Sequence, residues 1–358
     1  MLSFDNKEAF LSIVRLGIGH HRGLLPKNVD WNAIESLAAE QGLSAVLVDG
    51  IEKMPDDKRP PKMVLLQWIG ETLQGYEYRY EQYRKAISEI AAFYNNHGFK
   101  MMLLKGYACS LDWPKPEHRP CGDIDIWQFG KQKEADTVLT SEKGVEIDKS
   151  HHHHTVFNWG EFTVENHYDF VNVYAHKSSR ELEKIFKELG QDDSHFVDVN
   201  GVKVYLPLPN LHALFLIRHM VSHFAAANIT FRQVLDWAFF VEKHTKEIDW
   251  VWIVELLEKY HMKDFYNCIN AICVEDLGFE VGIFPSVQFE PALKDRVLKD
   301  ILEPAYTAEE PSSLIPRLVY KYKRWQGNAW KQELCYNESR WSAFWRGIWA
   351  KILKPASI

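Results

Sequence analysis

The chain has 358 residues, 46% of them hydrophobic and 25% charged, with a formal net charge of -7. That is enough for one large domain or two to three small ones with sizeable cores. The negative balance excludes the global basic field of a non-specific nucleic-acid binder, so nucleic acid is not the favoured partner and any contact with it has to be local. The five cysteines, Cys109, Cys121, Cys268, Cys273 and Cys335, are scattered and form no CxxC pair, which suits a reducing cytoplasm better than a disulfide framework. The start, "MLSFDNKEAFLSIVRLG", lacks the basic, apolar and small-residue regions of a secretion signal. No stretch approaches about 18 uninterrupted apolar residues, so no transmembrane segment is expected and a cytoplasmic location is.

Residues 1–98 read as an N-terminal helical region, with apolar spacing near 3.6 in "EAFLSIVRLGIG", "WNAIESLAAEQGL" and the long run from Met63 to Gly98. Residues 99–208 read as a small α/β core. "KMMLLKG" is a continuous apolar run of the buried-strand type, "GDIDIWQF" alternates with period two, and "KQKEADTVLTSEKG" is helical. "HHTVFNWGEFTVENHYDF" reads as a hairpin turning at Asn158-Trp159-Gly160. Residues 209–310 return to helices, each with an apolar stripe. Residues 311–358 form a basic, tryptophan-rich tail, with nine Lys or Arg against two acids and five of the chain's 13 tryptophans. The tail suits three uses: a terminal helix docked on the body, a stacking platform for nucleic acid, or a peripheral membrane contact on anionic lipid. The fold class is therefore α+β, a small mixed sheet flanked by N-terminal and C-terminal helical regions.

Chemistry concentrates in "RPCGDIDIWQF", residues 119–129. On a strand, Asp123 and Asp125 share a face while Ile124 and Ile126 point the other way. Two carboxylates so close raise each other's pKa unless a cation sits between them, and Mg²⁺ or Mn²⁺ resolves the conflict with hard oxygen ligands. A two-metal site needs ions about 3.5–4 Å apart, a geometry that a DxD pair supplies. An isolated DxD is as easily the solvated face of an amphipathic strand, so the neighbours decide. Lys105 and Gly106 close the preceding strand, where a glycine lets backbone N–H groups approach a phosphate and a lysine adds charge. Arg119 offers a second, bidentate phosphate contact. Glu165 and His167 share a face of the hairpin strand "FTVENHYDF", and if that strand lies beside the DxD strand, Glu165 is a third carboxylate. Asp169, four residues on, is the competing choice.

The segment "LLKGYACSLDWPKPEHRPCGDIDIWQF" followed by "GEFTVENHYDF" resembles the bacterial family of uncharacterised nucleotidyltransferases, within the DNA polymerase beta-like nucleotidyltransferase superfamily. The shared pattern is an LLKG turn, a P-x-x-R segment, a GDIDI strand and a later V-E-x-H strand. It extends over roughly residues 95–245, including "FRQVLDWAFF" with its R-x-x-x-D pair. The resemblance implies a nucleotidyltransferase-type sheet. It implies that Asp123 and Asp125 bind the metals, and that Glu165 completes the metal set and helps to bind or deprotonate an acceptor hydroxyl. Gly106 would hold a triphosphate against the backbone, with Lys105, Tyr107, Arg119 and Gly122 in the nucleotide-binding surroundings. Tyr107 departs from the superfamily, which usually has serine or a second glycine there. The implied reaction is in-line attack of a hydroxyl on the α-phosphate of an NTP, with pyrophosphate leaving. The alternatives are a DxD metal-dependent glycosyltransferase and a catalytically inactive relative that only binds.

"HHHH", residues 151–154, lies in a segment read as strand, where neighbours alternate, so the four cannot share one ion; the tract reads as structural or solvent-exposed, with His154 lining the site. His212, His219 and His223 share a helix face and read as surface or core histidines rather than zinc ligands. Arg232 and Asp236 stand one turn apart as a helix ion pair, and Arg232, like His154 and His167, is an accessory site candidate.

Overall fold

The structure is a computed structural model that describes residues 4–20, 29–285, 288–306 and 311–353. Lys354 of the basic tail lies outside the described residues. The chain forms two compact units that are interleaved rather than consecutive. One comprises Met1–Glu77, Trp113–Pro120 and Leu216–Asn337; the other comprises Tyr78–Asp112, Cys121–Phe215 and Glu338–Ile358. The regions expected from chain order, 1–98, 99–208, 209–310 and 311–358, follow different lines from these units.

The first unit is helical. Its helices include Phe4–Gly17, Trp31–Gln41, Ser44–Glu52, Phe231–His244, Trp250–Lys259, Lys263–Glu275 and Pro291–Leu302. Local sequence sets their ends: Asp30 accepts the N–H of Ala33, Asp249 that of Trp252, and Thr230 with Gln233 forms a reciprocal capping box. Cys268 and Cys273 are core residues, as their apolar surroundings foretell. A short stretch, Trp113–Pro120, is inserted into this unit. There Arg119 is buried and grips Asp236 with two nitrogens, Nε to Oδ1 at 2.7 Å and Nη2 to Oδ2 at 2.9 Å, and Trp113 Nε1 donates to the same Oδ1 at 2.9 Å. His118 Nδ1 lies 2.6 Å from Asp49 Oδ2. The carboxylate holds the His118 pKa above its usual value against the pull of burial, and the imidazolium in turn holds Asp49 down.

The second unit carries a six-stranded mixed sheet. Its strands are β1 (Met102–Leu103), β2 (Ile124–Trp127), β3 (His154–Trp159), β4 (Phe162–His167), β5 (Phe196–Val199) and β6 (Val202–Tyr205), in the order β3-β4-β2-β1-β6-β5. β2 and β4 are parallel, as are β1 and β6; the other neighbours are antiparallel. Helix Arg79–Asn96 and helix Gln132–Lys143 contribute Tyr83, Ile87, Ile90, Tyr94, Ala135 and Leu139 to one apolar core with Ile124, Ile126, Phe157 and Val164 of the strands. The β3–β4 hairpin turns one residue later than expected, at Gly160–Glu161, because Trp159 pairs with Phe162 across the strands. The long helical run predicted from Met63 to Gly98 is interrupted by a π-helical segment, Leu73–Tyr78.

The tail divides. Helix Ala329–Cys335 in the first unit buries Leu334 and Cys335, and its buried Lys331 pairs with Asp300. Helix Arg340–Leu353 in the second unit leaves Trp341, Trp345 and Trp349 exposed, while Glu338 just before it bonds His176 Nδ1 at 2.5 Å. Among the described residues no helix is long and apolar enough to cross a membrane.

Candidate active site

Strand register assembles the site. β2 and β4 run side by side with Asp125 opposite Glu165 and Trp127 opposite His167. β3 adds His154 opposite His167. Since successive side chains alternate, Asp125, Glu165, His167 and His154 project from one face, and Ile124, Ile126, Val164 and Phe157 from the other, into the core. Glu165 thus stands beside the DxD strand, as the sequence pattern required of a third carboxylate.

Asp125 is 5% exposed and does not stand unaccompanied. Lys105 Nζ lies 2.7 Å from its Oδ1, and His167 Nε2 lies 3.2 Å from the same oxygen. His167 Nε2 is also 3.5 Å from Glu165 Oε2. One donor atom each of Asp125, Glu165 and His167 falls within 4.8 Å of the others, the spacing of a metal-holding group. Burial alone would raise the Asp125 pKa; Lys105 and His167 overcome it and hold the carboxyl well below its usual range. Glu165 is likewise lowered against its burial, chiefly by the hydrogen bond to His167. His167 is raised, burial being outweighed by the two carboxylates. Its other nitrogen, Nδ1, donates to the Asp169 carbonyl at 3.2 Å, which fixes the ring with Nε2 toward the acids. His153 and His154 go the other way. Burial, together with the charge on His167, pushes them down to about 2 and about 4, so both are neutral imidazoles near neutral pH.

The remaining expected residues divide. Asp123 is exposed just before β2 and belongs to neither cluster of potential ligands found among the described residues; its carbonyl accepts the Tyr83 hydroxyl at 2.8 Å. Gly122 is exposed with open space around it. Gly106 adopts φ 60° and ψ -106°, open essentially to glycine alone, and a Cβ there would stand 2.4 Å from the Tyr83 hydroxyl. The glycine of the LLKG turn is thus demanded by the protein's own packing. Tyr107 is buried and stacked on Tyr80 with ring centroids 5.8 Å apart, which leaves only its backbone to meet a ligand. Asp169 is engaged by Lys187 and lies outside the ligand clusters. Arg119, expected on a phosphate, has its guanidinium fork on Asp236, the residue expected opposite Arg232. Arg232 is half-buried on helix Phe231–His244.

The histidine tract corrects an expectation. Residues 151–153 bend instead of running as strand, and His153 O accepts the N–H groups of both Tyr168 and Asp169, each at 3.0 Å. Strict alternation is lost, and adjacent His153 and His154 lie in one cluster with His167. His153 carried no individual signal in the sequence, because the bend that turns it inward is fixed by hydrogen bonds from a segment 15 residues away. His212 lies 3.9 Å from Cys109 Sγ within the second unit, and His219 and His223 face each other at 4.3 Å without entering a ligand cluster among the described residues.

A family model described as uncharacterised nucleotidyltransferase matches residues 27–278. The chain belongs to this family. The match is wider than the motifs, reaching from the helices before residue 95 to beyond helix Lys263–Glu275. This nucleotidyltransferase-family chain has no match among curated proteins. Among solved structures it is similar to the crystal structure of an antigenic nucleotidyltransferase-like protein from Paracoccidioides brasiliensis, at 16% identity over 45% of this chain and 75% of that one, with a TM-score of 0.32.

Proposed function

We propose that the protein is a metal-dependent nucleotidyltransferase that moves an NMP from an NTP to a hydroxyl acceptor with release of pyrophosphate. One observation carries this: Asp125 and Glu165 face each other from adjacent parallel strands, Asp125 buried, on the same side of the sheet as His167. Carboxylates this close favour positive charge between them, which Lys105 and His167 supply here and which a divalent ion would share. The donor set fits a divalent ion, since two carboxylates supply hard oxygens and the exposed Asp123, two residues before Asp125, carries a third. Asp125 and Glu165 would hold the ion, with Asp123 added once substrate is present. A bound Mg²⁺ or Mn²⁺ supplies charge stabilisation for the attacking and leaving oxygens.

The chain's own groups do the remainder. Lys105 keeps Asp125 ionised at its buried position and offers a positive charge to a phosphate beside it. Glu165 is the more accessible acid, kept ionised by His167, and so can accept the proton of the acceptor hydroxyl. His167, anchored on the Asp169 carbonyl, holds Glu165 and Asp125 in a fixed relation. Family membership sets the glycosyltransferase alternative aside.

A second reading has one observation in its favour. Lys105 Nζ already sits where a cation would stand against Asp125, as it would in a relative that binds nucleotide without turnover. Incubation with each α-labelled NTP, Mg²⁺ or Mn²⁺, and cell extract separates the two. Label transfer that disappears on chelation and in Asp125→Ala supports the enzyme. Nucleotide-dependent thermal stabilisation without any transfer sinks it and leaves the binder.

A further inference from the structure

The ligand-bearing face of the sheet continues past the carboxylates. His153, His154 and His167 each offer a ring nitrogen within 4.8 Å of the other two. The rings crowd together, with centroids 4.3 Å apart for His153 and His154 and 5.2 Å for His154 and His167. The backbone bend and the bonds of His167 bring the rings together, but no side-chain hydrogen bond among the described residues uses the inner nitrogens of His153 and His154. Both ring nitrogens of His154 and Nδ1 of His153 are buried without a hydrogen-bond partner. A buried donor or acceptor left so costs about 1–3 kcal/mol. Three imidazoles packed into one corner, two of them unsatisfied, make sense as ligands whose ion is held only when supplied.

Two details point to the class of ion. His167 is oriented as ligating histidines are, with Nδ1 donating to a backbone carbonyl and Nε2 turned to the Asp125 and Glu165 oxygens, a contact that a bound ion would replace. Glu165 Oε2 lies 3.7 Å from His154 Nδ1 and 3.5 Å from His167 Nε2, on the boundary between nitrogen and oxygen donors. Three imidazoles with a fourth position open toward a carboxylate is the donor set of Zn²⁺ and its neighbours, whereas Mg²⁺ favours oxygen. We propose that His153, His154 and His167 hold a transition-metal ion of the Zn²⁺ class, its fourth position facing Glu165, so that the site contains a nitrogen-ligated metal position beside the Asp125–Glu165 pair. This deepens the function proposed above, resting on it only for the use of these residues in nucleotidyl transfer.

The full chain, stripped with chelator and dialysed against Zn²⁺, is expected to retain one equivalent by elemental analysis, and against Co²⁺ to develop the intense visible bands of a four-coordinate ion. His153→Ala/His154→Ala should lose the equivalent and the bands, with affinity falling by more than the roughly 10–100-fold that removing a ligand's hydrogen-bonding partner costs. His151→Ala/His152→Ala should keep both, since neither residue is in the cluster. Should the first double variant not fold, His154→Gln carries the same test. Uptake by the wild type no greater than by the His153/His154 variants overturns the proposal. So does loss of the ion in His151→Ala/His152→Ala with retention in His153→Ala/His154→Ala, which would mean a surface histidine tract. Label transfer from NTP by the wild type with Mg²⁺ is scored separately: its absence sinks the proposed reaction, whereas absent Zn²⁺ uptake sinks only the ion.

Discussion

The two faces of one sheet treat buried carboxylates in opposite ways. On the helix-covered face, Asn166 of β4 donates to Asp136 Oδ1 at 2.8 Å, Thr155 of β3 donates to Oδ2 at 2.8 Å, and Gln132 completes the set. Every partner is neutral, and burial leaves the Asp136 pKa above its usual value. One residue along each strand, on the other face, Asp125 and Glu165 are met by Lys105 and His167, and both are lowered. A carboxyl satisfied by neutral donors fastens a helix to a sheet. A carboxylate held ionised beside another, next to buried imidazole nitrogens that make no hydrogen bond, is a scaffold's liability and a site's resource.

The largest expected effect breaks the charged side of this comparison. Asp125→Asn keeps the shape and removes the charge, so label transfer should fall by about 10³-fold, ~4 kcal/mol in the barrier. Initial rates with saturating NTP check it; a rate within a few-fold of wild type would mean that Asp125 is not part of the reaction. Next comes the neutral side. Asp136→Ala leaves Asn166, Thr155 and Gln132 without their acceptor inside the core, and unfolding in urea should show a loss of about 3 kcal/mol with an unchanged m value. A smaller cost falls between the faces. Gly106→Ala forces a Cβ against the Tyr83 hydroxyl at a backbone angle that suits glycine, which should cost about 1–3 kcal/mol. Its unfolding midpoint, compared with that of Tyr83→Phe/Gly106→Ala, separates the clash from the backbone strain.

How much of this was legible follows from which residues answer to local rules. Ile124 and Ile126 pointing into the core, and Glu165 beside Asp125, follow from period-two alternation and one strand pairing. The helices of the first unit follow from apolar spacing and caps. The hairpin β5–β6 went unread, although Asn200-Gly201 stands between apolar residues and both adopt positive φ. What else escaped depends on distant partners. Arg119 was read as a phosphate ligand because nothing local announces Asp236, 117 positions away. His153 was read as facing away from His154 because the bend before β3 is held from Tyr168 and Asp169.

Glu183 extends the comparison to pH, with the smallest expected effect. Its oxygens accept the backbone N–H groups of Phe170 and Val171 at 3.1 and 3.0 Å, neutral donors like those around Asp136, with Lys187 Nζ farther off at 3.5 Å from Oε1. Burial, with Asp169 adding repulsion, pushes it up to about 7 from a usual 4.5. Between those values the folded chain keeps a proton that the unfolded chain has released, so this group's contribution to stability is full at low pH and declines as pH rises toward 7. The decline is at most about 1.4 kcal/mol per pH unit. Glu183→Gln, which cannot titrate, should remove that component from stability measured by urea unfolding between pH 4.5 and 7. Asp125 has the opposite sign. Its stabilising contribution is present above the ordinary carboxylate range and is lost only as pH falls well below it, so the Asp125 carboxyl itself adds no slope between pH 4.5 and 7; Asp125→Asn acts on that window only through His167, which loses a carboxylate that raises it. If Glu183→Gln leaves the slope between pH 4.5 and 6 as it is in wild type, the proton that Glu183 keeps is not a source of stability.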